Sequence, residues 1–380
     1  MRGIENICII GAGNIGTAMA VDLSLHDDVK VTVLTSRAES LQGGFAKIDS
    51  DTGEMTRGRN IFVTADYSTA LDGCDLLIVT VPSFLTGEVM RKVEQHKPKR
   101  ILFVPGYGGK EFFCKKLISA GCVVAGLDRV TYVARLVEPN VVRASKKKKT
   151  RSLACVDCSH TASMCAEMER LLGIKCGPAK NYLTITLTPS NPILHTARLY
   201  SMFRDKDFSS PIGRQIKFYG EWTDDSSEMI FEMDGELQAV CRAFPGIDLS
   251  GVVSLPAHYE SQSVSTLTKK ISSIPSFQNI LSPLRSEGGC YFMDSSSRYF
   301  KEDFMYGLCN LKGFALIAGV PTLTMDRVLR WYERISGNAF FDAQGDFNGA
   351  SVKDTGVPQN FGIRTKDDVC EFYTGGGIII

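Results

Sequence analysis

The chain has 380 residues, enough for two or three domains and for a core that buries roughly three quarters of the unfolded surface without disulfides or structural metal. Its 43 Lys and Arg against 42 Asp and Glu leave a formal charge of +1, which excludes a polyanion-binding protein by bulk charge and nucleic acid as a partner. With 44% hydrophobic and 22% charged residues, and no apolar run near the ~20 residues of a membrane helix, the composition is that of an ordinary globular protein.

The N-terminus, Met1-Arg2-Gly3-Ile4-Glu5-Asn6, runs straight into a strand-like segment with no room for a signal peptide. The 12 cysteines, spread along the chain, are then expected as idle thiols in a cytoplasmic protein. Continuous apolar runs predict strands at Ile7–Ile10, Val31–Leu34, Ile61–Val63, Leu76–Val79, Ile101–Val104 and Val123–Ala125, with a helix over Thr17–Leu25 after the first. Runs apolar on both faces, set apart by helix-length spacers, are what a parallel sheet covered by helices produces. Further strands are predicted at Ser152–Val156 and Leu183–Leu187, around a helix at Ala162–Leu172.

At Thr188-Pro189-Ser190-Asn191-Pro192 the texture changes, and 3.6-residue periodicity replaces strand signals. Ile230, Met233, Leu237, Val240, Cys241 and Phe244 form one helical face, stopped by Pro245-Gly246. Phe304, Leu308, Leu311, Ala315 and Val320 form a second, and Met325, Val328, Leu329, Tyr332 and Ile335 a third, ended by Gly337. The expected class is α/β: a doubly wound sheet of the Rossmann type over residues 1–188, then a mostly helical substrate domain over 189–380.

Gly11-Ala12-Gly13-Asn14-Ile15-Gly16 follows the first strand and opens the first helix. The first glycine permits the tight turn, the second lets a pyrophosphate approach the backbone, and the third allows close helix–strand packing. The helix N-terminus adds N–H groups and a partial positive charge for the phosphates. An Asp or Glu at the end of the second strand would read the ribose hydroxyls of NAD. The sequence instead has Thr35-Ser36-Arg37, and Ser36 and Arg37 suit a 2′-phosphate, so NADP is the expected cofactor with NAD possible. Val81-Pro82-Ser83 and Val104-Pro105-Gly106-Tyr107-Gly108-Gly109 end two further strands, where loops of an open α/β sheet line the ligand crevice; Pro82 and Ser83 are taken as cofactor-side residues, with ordinary turn chemistry as the alternative.

Asn191-Pro192-Ile193-Leu194-His195 opens the helical half, and Arg298-Tyr299-Phe300-Lys301-Glu302-Asp303 precedes a strong helix. With the GxGxxG start, the order and the spacing, the chain resembles the opine dehydrogenase family, relatives of octopine and nopaline dehydrogenase, over most of its length. The resemblance implies an NAD(P)H-dependent oxidoreductase that reductively condenses an amino acid with a 2-keto acid such as pyruvate. It also implies His195 as catalytic base, Asp303 as its partner, and Arg298 with Asn191 on the substrate side. The residue types suit that chemistry. One histidine can both deprotonate the amine and expel water from the carbinolamine, a carboxylate fixes its tautomer, and a guanidinium fork fits a keto-acid carboxylate. Asp303 as a helix cap and Arg298 as a structural ion pair are the alternatives for those two positions.

Two other readings remain at this point. A hydroxy-acid or ketone reductase of the 2-dehydropantoate reductase or glycerol-3-phosphate dehydrogenase type would need a catalytic lysine, with Lys269, Lys270 and Lys312 as candidates. A dinucleotide-sensing protein without catalysis would keep only the glycine-rich motif. No resident metal is expected: Cys155, Cys158, His160 and Cys165 lack convincing zinc spacing, and Phe347 replaces the turn glycine a calcium loop needs. The basic run Lys146–Lys149 is expected as a solvated loop, and a homodimer is possible.

Overall fold

The structure is a computed structural model that describes residues 3–41 and 43–375. The strands in chain order are β1 (Asn6–Ile10), β2 (Lys30–Leu34), β3 (Ala46–Asp49), β4 (Met55–Arg57), β5 (Phe62–Thr64), β6 (Leu76–Val79), β7 (Arg100–Phe103), β8 (Val123–Leu127), β9 (Ala134–Glu138), β10 (Val141–Ala144), β11 (Thr150–Cys155), β12 (Lys175–Pro178), β13 (Leu284–Glu287) and β14 (Cys290–Met293). One sheet has eight strands in the order β12-β11-β8-β7-β6-β1-β2-β5. The six from β8 to β5 run parallel, while β11 meets β8 antiparallel and carries β12 with it. The order reverses beside β1, which is where an open α/β sheet places its ligand crevice.

The chain divides into two compact units, Met1–Thr186 with Cys370–Ile380, and Leu187–Val369. The break falls two residues before the expected 188, and the C-terminal residues return to the first unit. Leu183–Leu187, predicted as a strand, is instead mostly helical: a helix covers Tyr182–Thr186. Its alternating Thr and Ile fit a strand by propensity, but every side chain of that helix is buried, and burial overrides so short a preference.

A second sheet, β4-β3-β10-β9, lies in the same unit and has no counterpart in the sequence reading. Its strands are short and partly exposed, with no continuous apolar run. It explains why helix Asn14–Leu23 is buried from Gly16 to Leu23: the helix packs on the main sheet on one side and against β3, β9 and β10 on the other. The polar Asp22 of that helix is satisfied inside the layer by Tyr132 Oη, Lys47 Nζ and, at 3.3 Å, Lys147 Nζ.

The second unit is mostly helical. Helix Asp224–Arg242 carries the first predicted face, with Thr223 capping Ser226 N–H and two aspartates in the first turn. The second face belongs to a π-helical segment, Asp303–Leu308, continued by helix Cys309–Ala318; Val320 lies beyond its Gly319 cap. The third is helix Leu323–Ser336, closed by Gly337 at φ +74°. A hairpin of β13 and β14 interrupts the helices, turned by Gly288-Gly289, both at positive φ. All 12 cysteines are free thiols, and among the described residues no helix is long and apolar enough to cross a membrane.

Glu111 binds the end of the first unit's polypeptide to its middle. The side chain is fully buried, and its Oε1 accepts from the hydroxyls of Thr186 and, at 2.6 Å, Tyr373. Loss of solvent outweighs those two donors and pushes its carboxyl up from 4.5 to about 7. Between those values the folded chain holds a proton that the unfolded chain has lost, so this contribution is complete below about pH 4.5 and disappears as the pH rises through about 7. Glu111→Gln should remove on the order of 3 kcal/mol of pH dependence across that window, read from urea unfolding at several pH values. An identical pH slope in variant and parent would rule the titration out.

Candidate active site

Only three residues separate β1 from helix Asn14–Leu23, so the turn must reverse within Gly11–Gly13. Gly11 sits at φ +106°, a backbone that side-chain-bearing residues rarely adopt. A Cβ at Gly16 would stand 1.8 Å from the Gly11 carbonyl oxygen, so turn and helix touch backbone to backbone. At Gly13 the Cβ position meets nothing within 4 Å, and no side chain caps the helix that follows. Open approach to a helix N-terminus without a side-chain cap is what a pyrophosphate requires, so these residues fit a dinucleotide.

The neighbours of this turn hold it in place. Thr80, just past β6, donates its hydroxyl to the carbonyls of Ile10 at 3.0 Å and Gly11 at 3.2 Å. Arg37 Nη2 donates to the Ala12 carbonyl at 2.8 Å, which sets the guanidinium against the glycine-rich turn. Thr35 is buried beside it, and Ser36 is exposed. Asn14 Oδ1 accepts from Leu136 N–H at 2.8 Å and so secures β9, and half-buried Ile15 packs on the core. Pro82 is half-buried at the cap of helix Ser83–Val93, and Ser83 is buried at its first position. Gly106, in the loop after β7, serves packing: a Cβ there would lie 2.7 Å from Gly126 Cα and from Ile185.

The residues expected to do acid–base work, His195 and Asp303, lie on the second unit. Helix Asn191–Phe203 opens with Pro192, where a missing N–H costs nothing. Asn191 and His195 are four apart and share a face, Asn191 half-buried and His195 buried. His195 Nδ1 lies 2.7 Å from Asp303 Oδ2, and its Nε2 lies 2.6 Å from Tyr219 Oη. With Asp303 ionised, the carboxylate only accepts, so Nδ1 carries the proton and Nε2 accepts from the phenol. Burial pushes the Asp303 carboxyl up, while the His195 contact pulls it back. Rings close the remaining sides: Tyr299 lies 4.5 Å from His195, tilted by 32°, and Phe218 meets it edge-on at 5.5 Å.

Asp303 caps no helix; its side chain goes to His195. Arg298, five residues earlier, has a half-exposed side chain whose Nε is 3.5 Å from Glu302 Oε2, a loose pair. Asn191, His195, Arg298 and Asp303 thus lie on one unit, and the glycine-rich residues on the other. The lysines of the reductase alternative do not form such a site. Lys312 is buried against Asp326 at 2.7 Å, and Lys270 pairs with Glu260 on the surface. Among the described residues no group of three or more His, Cys, Asp or Glu is placed to hold a metal ion. Tyr219 and Arg198, which the sequence reading missed, surround His195 and its neighbours.

A dinucleotide-binding α/β unit joined to a helical unit with a buried acid–base pair defines a nicotinamide-dependent oxidoreductase. Residues 178–336 match the model for the NAD/NADP octopine/nopaline dehydrogenase α-helical domain, and residues 7–154 that for ketopantoate reductase PanE/ApbA. Over nearly its whole length the chain is similar to opine, octopine and tauropine dehydrogenases, which are NAD(P)-dependent oxidoreductases acting on CH–NH bonds. It is 24% identical to tauropine dehydrogenase of Arabella iricolor over 96% of this chain and 99% of that one. It is 25% identical to opine dehydrogenase of Haliotis discus hannai, over 95% and 97% respectively. A solved octopine dehydrogenase with NADH and L-arginine shares the fold at a TM-score of 0.83 and 23% identity, covering 96% of this chain and 98% of that one.

Gly16→Ala should force helix and turn apart and weaken dinucleotide binding by roughly tenfold or more, equivalent to at least ~1.4 kcal/mol. Fluorescence titration with NADPH and NADH measures it, with circular dichroism to confirm the fold. Unchanged affinity for both would show that this turn does not hold the phosphates.

Proposed function

We propose that this chain reductively condenses an amino acid with a 2-keto acid, His195 and Asp303 moving the proton and Arg298 holding the keto acid. The observation that carries the reading is the buried His195–Asp303 contact, with a half-exposed arginine five residues before the aspartate. His195 takes a proton from the amino acid's ammonium group, and the freed amine attacks the keto carbon to give a carbinolamine. The same proton returns to the carbinolamine hydroxyl, which leaves as water and creates the C=N bond. A nicotinamide dinucleotide, when bound, supplies the hydride that reduces this bond. Asp303 holds the imidazolium while the proton resides there, and Arg298 fixes the plane of the α-carboxylate. Asn191, one turn before His195, adds an amide on the substrate side.

Steady-state NAD(P)H oxidation with pyruvate and an amino-acid panel tests the reading, and oxidation should require both substrates. Rapid pyruvate reduction without an amine would move the protein to the 2-hydroxy-acid reductases, and no oxidation under any pairing would leave a dinucleotide sensor. Arg298→Lys keeps the charge but loses the fork, and should raise the keto-acid KM roughly tenfold while altering the amine KM little.

The preferred cofactor in this proposal is NADPH. Support comes from Arg37, anchored on Ala12 at the glycine-rich turn, and from the absence of a carboxylate at Thr35-Ser36-Arg37. A cytoplasmic setting suits 12 free cysteines. Losing one charge-assisted contact costs about 1.5–3 kcal/mol, so Arg37→Ala should weaken NADPH binding roughly 10- to 100-fold and leave NADH nearly unchanged. Equal losses for both cofactors, or a parent enzyme that prefers NADH, would overturn the preference.

A further inference from the structure

Both nitrogens of the His195 ring are occupied within its own unit, Nδ1 by Asp303 and Nε2 by Tyr219 Oη at 2.6 Å. A base whose reactive nitrogen is covered must either lose the covering group or work through it. The surroundings of Tyr219 favour the second course. Its side chain is 4% exposed and stacked on Phe277, with ring centres 4.4 Å apart and planes within 25°. It also lies parallel to Trp222, 5.9 Å away and within 8°.

The backbone on either side is held as firmly. Arg198, one turn beyond His195 on the same helix, is buried; its Nε donates to the Phe218 carbonyl at 2.9 Å and its Nη2 to the Glu221 carbonyl at 2.5 Å. Its Nη1 donates to Ser226 Oγ at 2.9 Å, and its guanidinium lies 5.2 Å over the Trp222 ring. Swinging the phenol aside would break both ring contacts, with Phe277 and with Trp222. Moving a proton through it disturbs neither.

We propose that Tyr219 is the proton relay between His195 and the substrate nitrogen, with Arg198 as the residue that positions it. This rests on the amino-acid condensation reading. The ammonium group gives a proton to the phenol oxygen as the phenol gives its own to His195 Nε2. Tyrosine ends unchanged, the amine is neutral, and the imidazole carries the charge against Asp303. In the dehydration the two transfers reverse: Nε2 returns a proton to the phenol oxygen, and the phenol protonates the carbinolamine hydroxyl, which leaves as water. No oxidant or further reactant enters either transfer.

Tyr219→Phe is the test, since phenylalanine keeps the stack and removes only the hydroxyl. Thermal unfolding and NADPH affinity should match the parent, and the keto-acid KM should be unchanged. The turnover number should fall about 10- to 100-fold, the lower part of what general acid–base help is worth, because solvent still reaches His195 by a slower route. Turnover in mixtures of H2O and D2O separates the relay from a structural role. Two protons in flight give the parent a bowed dependence on deuterium fraction, and Tyr219→Phe should give a straight line. Unchanged turnover, or a slower variant that keeps the bowed curve, overturns the relay. The parent assayed with and without amine keeps the two claims apart: amine-dependent oxidation with no Tyr219 effect removes the relay alone, whereas a parent lacking it removes the condensation reading and the relay with it.

Discussion

A buried carboxylate is tolerated only where something replaces the water it gave up, and for Asp303 that is His195. The contact depends on two helical segments approaching closely enough for a short acid and an imidazole to meet. Gly307 allows it. A Cβ at that position would lie only 3.0 Å from the Pro192 ring, so the π-helical segment and the start of helix Asn191–Phe203 sit nearly backbone to backbone. Asp303 lies four residues before that glycine and His195 three after that proline, about one turn from the touching point on each segment. The π-helical turn also changes which side chains share a face, a departure from α geometry that is common at functional positions.

The parallel part of the first unit is legible because its strands are buried on both faces and read as unbroken apolar runs, such as Leu76–Val79. The same criterion fails for β3, β4, β9 and β10. Their role is to cover one side of helix Asn14–Leu23, and segments such as Met55–Arg57 leave most of their own side chains near water. Leu183–Leu187 fails in the opposite sense. A run of five apolar and β-branched residues fits a buried strand or a buried helix equally well. What decides is tertiary: Tyr182 Oη donates to the Gly106 carbonyl at 3.2 Å, and Ile185 fills the space left by the missing side chain of Gly106.

The candidate site divides along the same line. The dinucleotide cradle is written in consecutive residues because it is made of backbone: Gly11 supplies a positive φ and Gly16 a close backbone approach, while Gly13 leaves the helix N-terminus open. His195 and Asp303 lie 108 residues apart and carry no common spacing rule; their pairing is legible only through the motifs around each. Tyr219 is hidden further. It lies in an irregular stretch between helices, 24 residues from His195, and nothing local distinguishes it from Tyr200. The one available signal is indirect: buried Arg198 on the His195 face needs acceptors, and it takes them from the Phe218 and Glu221 carbonyls on either side of that tyrosine.

Charge balance gives the arrangement its chemical direction. Burial lowers the Arg198 guanidinium to about 10, still cationic at neutral pH, and its contacts are carbonyls and hydroxyls rather than a carboxylate. On the same helix it stands one turn from His195, whose Nδ1 faces Asp303. With Arg298 set against Glu302, these four charged groups sum to zero while His195 is neutral. Taking a proton from an ammonium group leaves the cluster with one uncompensated positive charge in a low-dielectric setting, where Coulombic penalties are large. In the proposed reaction the Asp303 carboxylate on Nδ1 is the group that offsets that charge until the leaving hydroxyl takes the proton.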